Sequence, residues 1–542
     1  MSLLDVINEI AEVPVNEPAA GHVEVASSPK PTYEDFNYED LLLYAGLDCV
    51  VTSGLKEKLS PEMERTDTPG VPEIANAFHS IVMPCQEFII DLEINGMGYS
   101  VERNAFLSKK MSAEVEILDD NIFSLIGRRI DLNSGPVVAQ FLYGEKGFTP
   151  PTYTKAGEPA TDGEALLTLA GLDPLGNKYV TEDPSLQYLA LMAKRKDIYS
   201  CHSTFVKTYV KDFVKRDGRI HPSYNQFGTS SFRITGTDPN LTQLPRPKHG
   251  YNVRSCYTVK PGFVFISFDF SSAEVKILAN ICRDPAMMEA VRNGLDFHTF
   301  SASRMRGIPY EEMAAVLAEK QHPKHKEYKS LRQLSKTLTF SILYGSSVAG
   351  IANQLFLSED KAKELLDLYF TTFPKVKDYI NSTHAFAKAH QFVVTPLGQR
   401  KRQFGTYPCF SKTAAYNAAL RNSQNVIIQS ATSSVGLVTF AELNERIKPF
   451  GAISTCTVYD SLEIECPQER AAEVIAVCYD TLDNFPMERF PFIELPIGCE
   501  GDVGISWGET TVVHPGVTQA EIDAEIEALK RDSITSFGKW MG

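Results

Sequence analysis

The 542-residue chain has 43% apolar and 22% charged residues, enough for several packed subdomains and unlike a disordered or fibrous composition. Its apolar runs, such as Phe263 to Phe268 and Val426 to Ile428, fall short of the roughly 20 residues a membrane-spanning helix needs, so no membrane segment is expected. The net charge of -15 argues against a polyanionic partner only until its distribution is read: residues 1–70 carry 14 acidic and 4 basic side chains, whereas Lys194–Arg219 carries eight basic and three acidic, and Lys324–Lys336 five and one.

Residues 1–32, rich in Pro, Ala, Glu and Ser, read as a mobile acidic tail. Their acidic opening (Asp5, Glu9, Glu12, Glu17) is the reverse of a secretory or organellar signal, which points to a cytoplasm. Ten cysteines without a CxxC pair or Cys/His spacing suit a reducing compartment. Helical periodicity over Tyr38 to Leu59 gives way to a linker, Pro61 to Pro72, and then to a helix from Ile74 through Leu92. Val101 to about Tyr209 is mostly helical, broken by the turn-rich stretch Tyr143 to Asp162. Beyond Ile220 strands and helices mix: Phe263 to Phe270 is a hydrophobic strand, and Cys456 to Cys466 reads as two short strands around a tight turn. A last helix, Gln519 to Lys530, follows Pro515.

Three segments carry chemistry. Asp269 stands at the end of the hydrophobic strand and leads into a helix, and Asp460 sits in a strand turn almost two hundred residues later. Together they could hold two magnesium ions about 3.5 to 4 Å apart, although either alone reads as a turn or cap residue. Between them, Arg332, Lys336, Phe340 and Tyr344 recur every four residues, one slowly turning helix face about 18 Å long. Such a face suits a triphosphate and a stacked base; its plain reading is a solvated basic turn followed by core aromatics. A second four-spaced row, Arg421, Asn425 and Gln429, offers polar groups to a nucleic-acid backbone or minor groove, or is simply an exposed helix face.

From about residue 86 to 508 the ordered set resembles family A (DNA polymerase I family) DNA polymerases. Asp269 to Lys276 looks like motif A, Arg332 to Gly345 like motif B and Val458 to Ser461 like motif C, with further matches at Asp131–Ser134, Thr161–Asp162, Arg219–Pro222, Asp238–Leu241 and Asp296–His298. The resemblance implies an α+β right-hand fold whose palm is built on an antiparallel sheet. It divides the chain into thumb (approximately 86–218), palm (219–285 and 405–508) and fingers (286–404) within a polymerase domain at 73–508, followed by a C-terminal tail with one helix at 509–542. It implies a DNA-directed DNA polymerase acting on primer-template DNA and dNTPs. Asp269 and Asp460, with the Phe270 carbonyl, would bind two Mg2+ ions; Arg332, Lys336 and His298 would contact the triphosphate; Phe340 and Tyr344 would surround the sugar and base. Glu274 would exclude ribonucleotides, and Arg233, Arg421, Asn425, Gln429 and Tyr459 would touch DNA.

Motif C departs from the family's His-Asp-Glu: here it is Tyr459-Asp460-Ser461, with Glu463 on the same strand face as Ser461, and motif A ends in Lys276 rather than Arg. A single-subunit RNA polymerase is the nearest rival, opposed by Glu274; an inactive DNA-binding scaffold and a metal-dependent nuclease are the others. Tyr44 and Asp48 resemble the Tyr-x-x-x-Asp motif of the family's proofreading exonuclease, which makes residues 33–72 a remnant of that domain and its linker. No exonuclease activity is expected of this chain alone, and residues 33–60 are expected to dock a separately encoded 3′-to-5′ exonuclease chain. The compact form suggests a bacteriophage-type enzyme, working in the host cytoplasm.

Overall fold

The computed structural model describes residues 38–64, 74–154, 156–171, 184–355, 357–407, 409, 411 and 413–538. The tail expected at 1–32 and most of the linker expected at Pro61 to Pro72 lie outside them. The chain divides into two units, Met1–Arg65 and Thr66–Gly542. The first is described as one helix, α1 (Tyr38–Glu64), which runs past its expected end and takes Pro61 into its last turn, where the ring removes a single backbone hydrogen bond. Leu43, Tyr44, Leu47, Val50, Val51, Leu55 and Leu59 are all exposed on it.

In the second unit the helix expected from Ile74 is interrupted. A wide turn over Phe78–Val82 precedes α2 (Pro84–Asn95), because Pro84 has no N–H to continue a ladder but suits a first helical position. Next comes α3 (Val101–Ile126), capped by the Ser100 hydroxyl and stopped by left-handed Gly127; it packs against α4 (Gln187–Cys201). Arg195 of α4, only 5% exposed, is held by Asp119 at 2.8 and 3.3 Å and by Asn133 Oδ1 at 2.5 Å, which fixes the 131–134 segment to both helices.

The sheet that positions the site contains β1 (Phe263–Phe270), β2 (Ile453–Val458), β3 (Ser461–Pro467), β4 (Cys499–Ser506) and β5 (Glu509–Val513). Their order is β5-β4-β1-β3-β2, antiparallel throughout. With the helices around it, this is an α+β fold. β1 is flanked on both sides, and its near-continuous apolar sequence reflects burial of Val264, Phe265, Ile266 and Phe268. Helices α5 (Ala273–Cys282), α8 (Ala414–Ile447) and α9 (Ala471–Arg489) build the adjoining core; Phe270 stacks on Phe440 at 5.6 Å and Phe268 meets Tyr479 edge-on at 4.9 Å. Among the described residues, Ala414–Phe450 alone has the length and hydropathy of a bilayer-crossing helix, and 83% of its apolar window is buried in protein.

Residues 509–538, expected to belong to a tail, instead supply an edge strand of the sheet and a helix over it. β5 forms its edge, and α10 (Gln519–Gly538), eight residues longer than expected, covers β4 with Ile522 and Ile526 buried. Arg103, in the first turn of α3, pairs with Glu509 and donates to Ser255 O at 2.9 Å and Ser533 Oγ at 3.0 Å, so α10 also anchors the base of α3.

Candidate functional site

β1 delivers Asp269 to the end of the sheet. β2 and β3 deliver Asp460 beside it through a two-residue turn, since Val458 pairs with Ser461. Register places Asp269 opposite Ser461, and the Phe270 N–H donates to Asp460 O at 3.0 Å. Tyr459 holds φ +56° in that turn, where glycine is normally favoured, a strain of about 1–3 kcal/mol that sets the position of Asp460. Burial, then Asp460 and Glu500, push the Asp269 carboxyl up to about 6, against the pull of Arg246. Burial likewise raises Asp460, with Arg233 opposing it. Two aspartates that each resist ionisation in this way, with the Phe270 carbonyl between them in sequence, form a hard-oxygen donor set that fits Mg2+. No group of three or more His, Cys, Asp or Glu side chains forms a metal cage among the described residues.

Glu500 and Arg246 escaped the sequence reading. Glu500 of β4 stands opposite Asp269 of β1 and accepts from the Ser271 hydroxyl at 3.2 Å; only the strand register reveals it. Behind Ser461 lies Glu463, 1% exposed, whose carboxyl burial pushes up to about 7 despite the neighbouring Ser267 and Ser461 hydroxyls. Lys276 is half-buried, and its Nζ donates to Ile497 O.

Glu274, in the first turn of α5, is 5% exposed and receives Arg233 Nη2 at 2.5 Å. Burial raises its carboxyl, with Arg233 working against the rise. The Tyr344 phenol stands beside it, raised to about 12 by burial and then by the Glu274 charge. Arg233 also lies over the exposed Tyr459 ring, 5.4 Å from its centroid. One chain of contacts, Tyr344 to Glu274 to Arg233 to Tyr459, thus joins all three sequence segments singled out for chemistry.

Lys336 and Phe340 lie on α7 (His325–Leu343) together with Arg332, and Tyr344 caps its C-terminus. Phe340 and Tyr344 stack at 5.9 Å. Lys336 is exposed. Arg332 is committed to Asp296, with Nε and Nη2 each 2.8 Å from a carboxylate oxygen. Burial works to raise Asp296, but Arg332 and Thr299 outweigh it and hold the carboxyl down to about 2. His298, on α6 (Phe297–Arg306), is 3% exposed with Nδ1 unpartnered; burial lowers it to about 4, so it is neutral at pH 7. In this arrangement, of the three groups expected at the triphosphate, only Lys336 is exposed.

Arg421, Asn425 and Gln429 form a half-buried row on α8. The end of α7 is locked against that helix by Gln424 Nε2, which donates to Ile342 O at 2.7 Å. Gly345 follows with φ +67°, and a Cβ there would lie 2.7 Å from Arg421 Cβ and 2.8 Å from its carbonyl oxygen. Gly345→Ala is therefore expected to lower stability by more than about 1 kcal/mol, read as a shifted urea midpoint at unchanged slope. Tyr44 and Asp48 are both exposed on α1, in the separate unit.

A family model, DNA polymerase family A, matches residues 101–509, beginning at α3 rather than at residue 86. DNA polymerase I of Chloroflexus aurantiacus is 25% identical over 492 residues, 90% of this chain and 48% of that protein. The thermostable DNA polymerase I of Thermus filiformis is 27% identical over 434 residues, 80% of this chain and 48% of the relative. The chain thus spans about half the length of the curated relatives it matches. Among solved structures, the POL domain of Pol1 from M. smegmatis, in complex with DNA primer-template and dNTP, superposes with a TM-score of 0.68 at 26% identity, over 79% of this chain and 70% of that one.

Proposed function

The chain belongs to DNA polymerase family A, and from that premise we propose that it extends a primer 3′ end with dNTPs under the direction of a DNA template. The observation that carries this reading is the contact chain through Tyr344, Glu274, Arg233 and Tyr459, which draws a stacking platform, a buried sugar-facing acid and the paired aspartates into one site. Two Mg2+ ions, held by Asp269 and Asp460 with the Phe270 carbonyl, would supply Lewis-acid activation of the primer hydroxyl and of the leaving phosphates. Lys336 meets the triphosphate as an exposed cation; Arg332 joins it when the nucleotide's charge competes for its fork with Asp296, and the adjacent His298 donates as a neutral imidazole. Phe340 and Tyr344 take the sugar and base. Arg233, Tyr459, Arg421, Asn425 and Gln429 follow the duplex, reading minor-groove acceptors that all correct pairs share.

Primer extension with dNTPs, with rNTPs and without nucleotide tests the reading. Template-dependent growth only with dNTPs is expected; growth with rNTPs would favour an RNA polymerase, shortening without nucleotide a nuclease, and no change an inactive scaffold. Buried Glu274 favours the first outcome, because it leaves no solvated room for a 2′-hydroxyl. Phe340→Tyr is expected to increase dideoxynucleotide termination, since its added hydroxyl can replace the contact that a dideoxy sugar lacks; equal termination ladders would count against this placement.

The cytoplasm is the proposed compartment. A role in viral replication draws no support from the relatives named above, which are bacterial. The exposed apolar residues of α1 support docking of a separate exonuclease chain at residues 33–60. Unchanged binding of such a partner after deletion of residues 1–60 would refute it.

A further inference from the structure

Strand β3 sends Ser461, Glu463 and Glu465 to one face of the sheet. Both glutamates are buried, 1% and 2% exposed, but their surroundings differ. Glu465 is gripped by Arg219, through Nη2 at 2.6 Å and Nη1 at 3.3 Å. Among the described residues Glu463 has no cation in contact: the Ser461 hydroxyl donates to Oε1 at 3.1 Å, and Oε2 accepts no hydrogen bond. Register sets Glu463 opposite Ser267, one pleat behind the facing pair Asp269 and Ser461. An acid buried without an ion pair, eased only by the through-space charge of Arg254 and by the Ser267 and Ser461 hydroxyls, is unfavourable for the fold, and an apolar side chain would fill the space better. Its placement behind the catalytic end of the sheet gives it another use.

We propose that Glu463 is a positioning residue that acts through Ser461. The hydroxyl has one proton and two inward acceptors, Glu463 Oε1 at 3.1 Å and Val458 O at 3.2 Å. With the proton on the Glu463 side, the oxygen's lone pairs are free to turn toward Asp269 and Asp460, where they would accept a hydrogen bond from a water of a cation held there. Without Glu463 the proton turns to Val458 and the lone pairs turn with it. Ser461 and Glu463 then share a task that neither side chain performs alone. This rests on the reading of Asp269 and Asp460 as the metal-binding pair.

The test is a double-mutant cycle with two readouts: the Mg2+ concentration for half-maximal extension, and the Mn2+ concentration needed to raise the unfolding temperature of the enzyme on a dideoxy-terminated primer-template. Glu463→Leu and Ser461→Ala should each raise both concentrations about three- to tenfold, the span of one net hydrogen bond. The double variant should be no worse than either, and Glu463→Gln, which keeps an acceptor, should stay near wild type. Unchanged metal requirements in Glu463→Leu, multiplied effects in the double variant, or a Glu463→Gln as impaired as Glu463→Leu would each overturn the proposal. If Glu463→Leu does not fold, an unchanged Mn2+ requirement in Ser461→Ala overturns it equally. A wild type that extends no primer would sink the polymerase reading instead, and the Mn2+ measurements alone would then decide the role of Glu463.

Discussion

Asp269→Asn and Asp460→Asn are each expected to lower nucleotide incorporation about 10³-fold or more while leaving primer-template affinity within a few-fold, because the lost charge acts on the transition state more than on duplex binding. The metal-free protein should respond in the opposite sense. Asp269, held up at about 6, binds its proton more tightly folded than unfolded, so its ionisation destabilises the fold as pH rises from about 4 to 6. Asp269→Asn should therefore be more stable than wild type above pH 6 in chelator, and the gain should vanish below about pH 4. Extension at the wild-type rate by either variant would remove the proposed metal site. A stability gain that persisted unchanged at pH 4 would show that crowding of the carboxylate is not its cause.

Glu274→Ala should lower the preference for dNTPs over rNTPs about 100-fold, the scale on which a pocket that must reject one extra hydroxyl discriminates. The side chain is pinned from two directions, by Arg233 at 2.5 Å and by the phenol of Tyr344, so its truncation opens a defined space rather than one a neighbour readily fills. It also releases Arg233 from its ion pair, leaving the guanidinium over Tyr459. A rise in KM for primer-template should accompany the lost selectivity. Glu274→Gln, of equal volume, separates the two: it should keep most of the selectivity and show the same KM change. An unaltered dNTP-to-rNTP ratio in Glu274→Ala would mean that the sugar lies elsewhere.

The limits of sequence reading here are limits of range. β1 and the turn around Asp460 were legible because a hydrophobic strand ending in a carboxylate, and two short strands around a tight turn, are local patterns. Spacing by four placed Arg332, Lys336 and Phe340 on one helix, and nothing in that spacing could show that Arg332 already has a partner in Asp296, or that His298 is buried. Glu500 stood unnoticed because its place beside Asp269 comes from pairing across the sheet. Residues 509–513 read as tail because an edge strand beside solvent carries little apolar signal: Val512 is 63% exposed. Pro61 reads as a helix stop, but the last turn of a helix tolerates the loss of one hydrogen bond.

The order of strands in the sheet also sets a schedule. β1 is translated long before β3 and β4, its neighbours on the two sides, and Ser271 meets Glu500 across 229 residues. At about 5 to 20 residues per second, a ribosome needs roughly 10 to 50 s to supply that partner. Until β3 emerges late in this interval, the apolar segment Phe263–Phe270 lacks both strands that flank it, while α3 and α4 already have each other. The nascent chain should therefore acquire a protease-resistant helical portion first and the paired-aspartate site only once β3 and β4 have been made, with β1 a natural site for chaperones to bind in between.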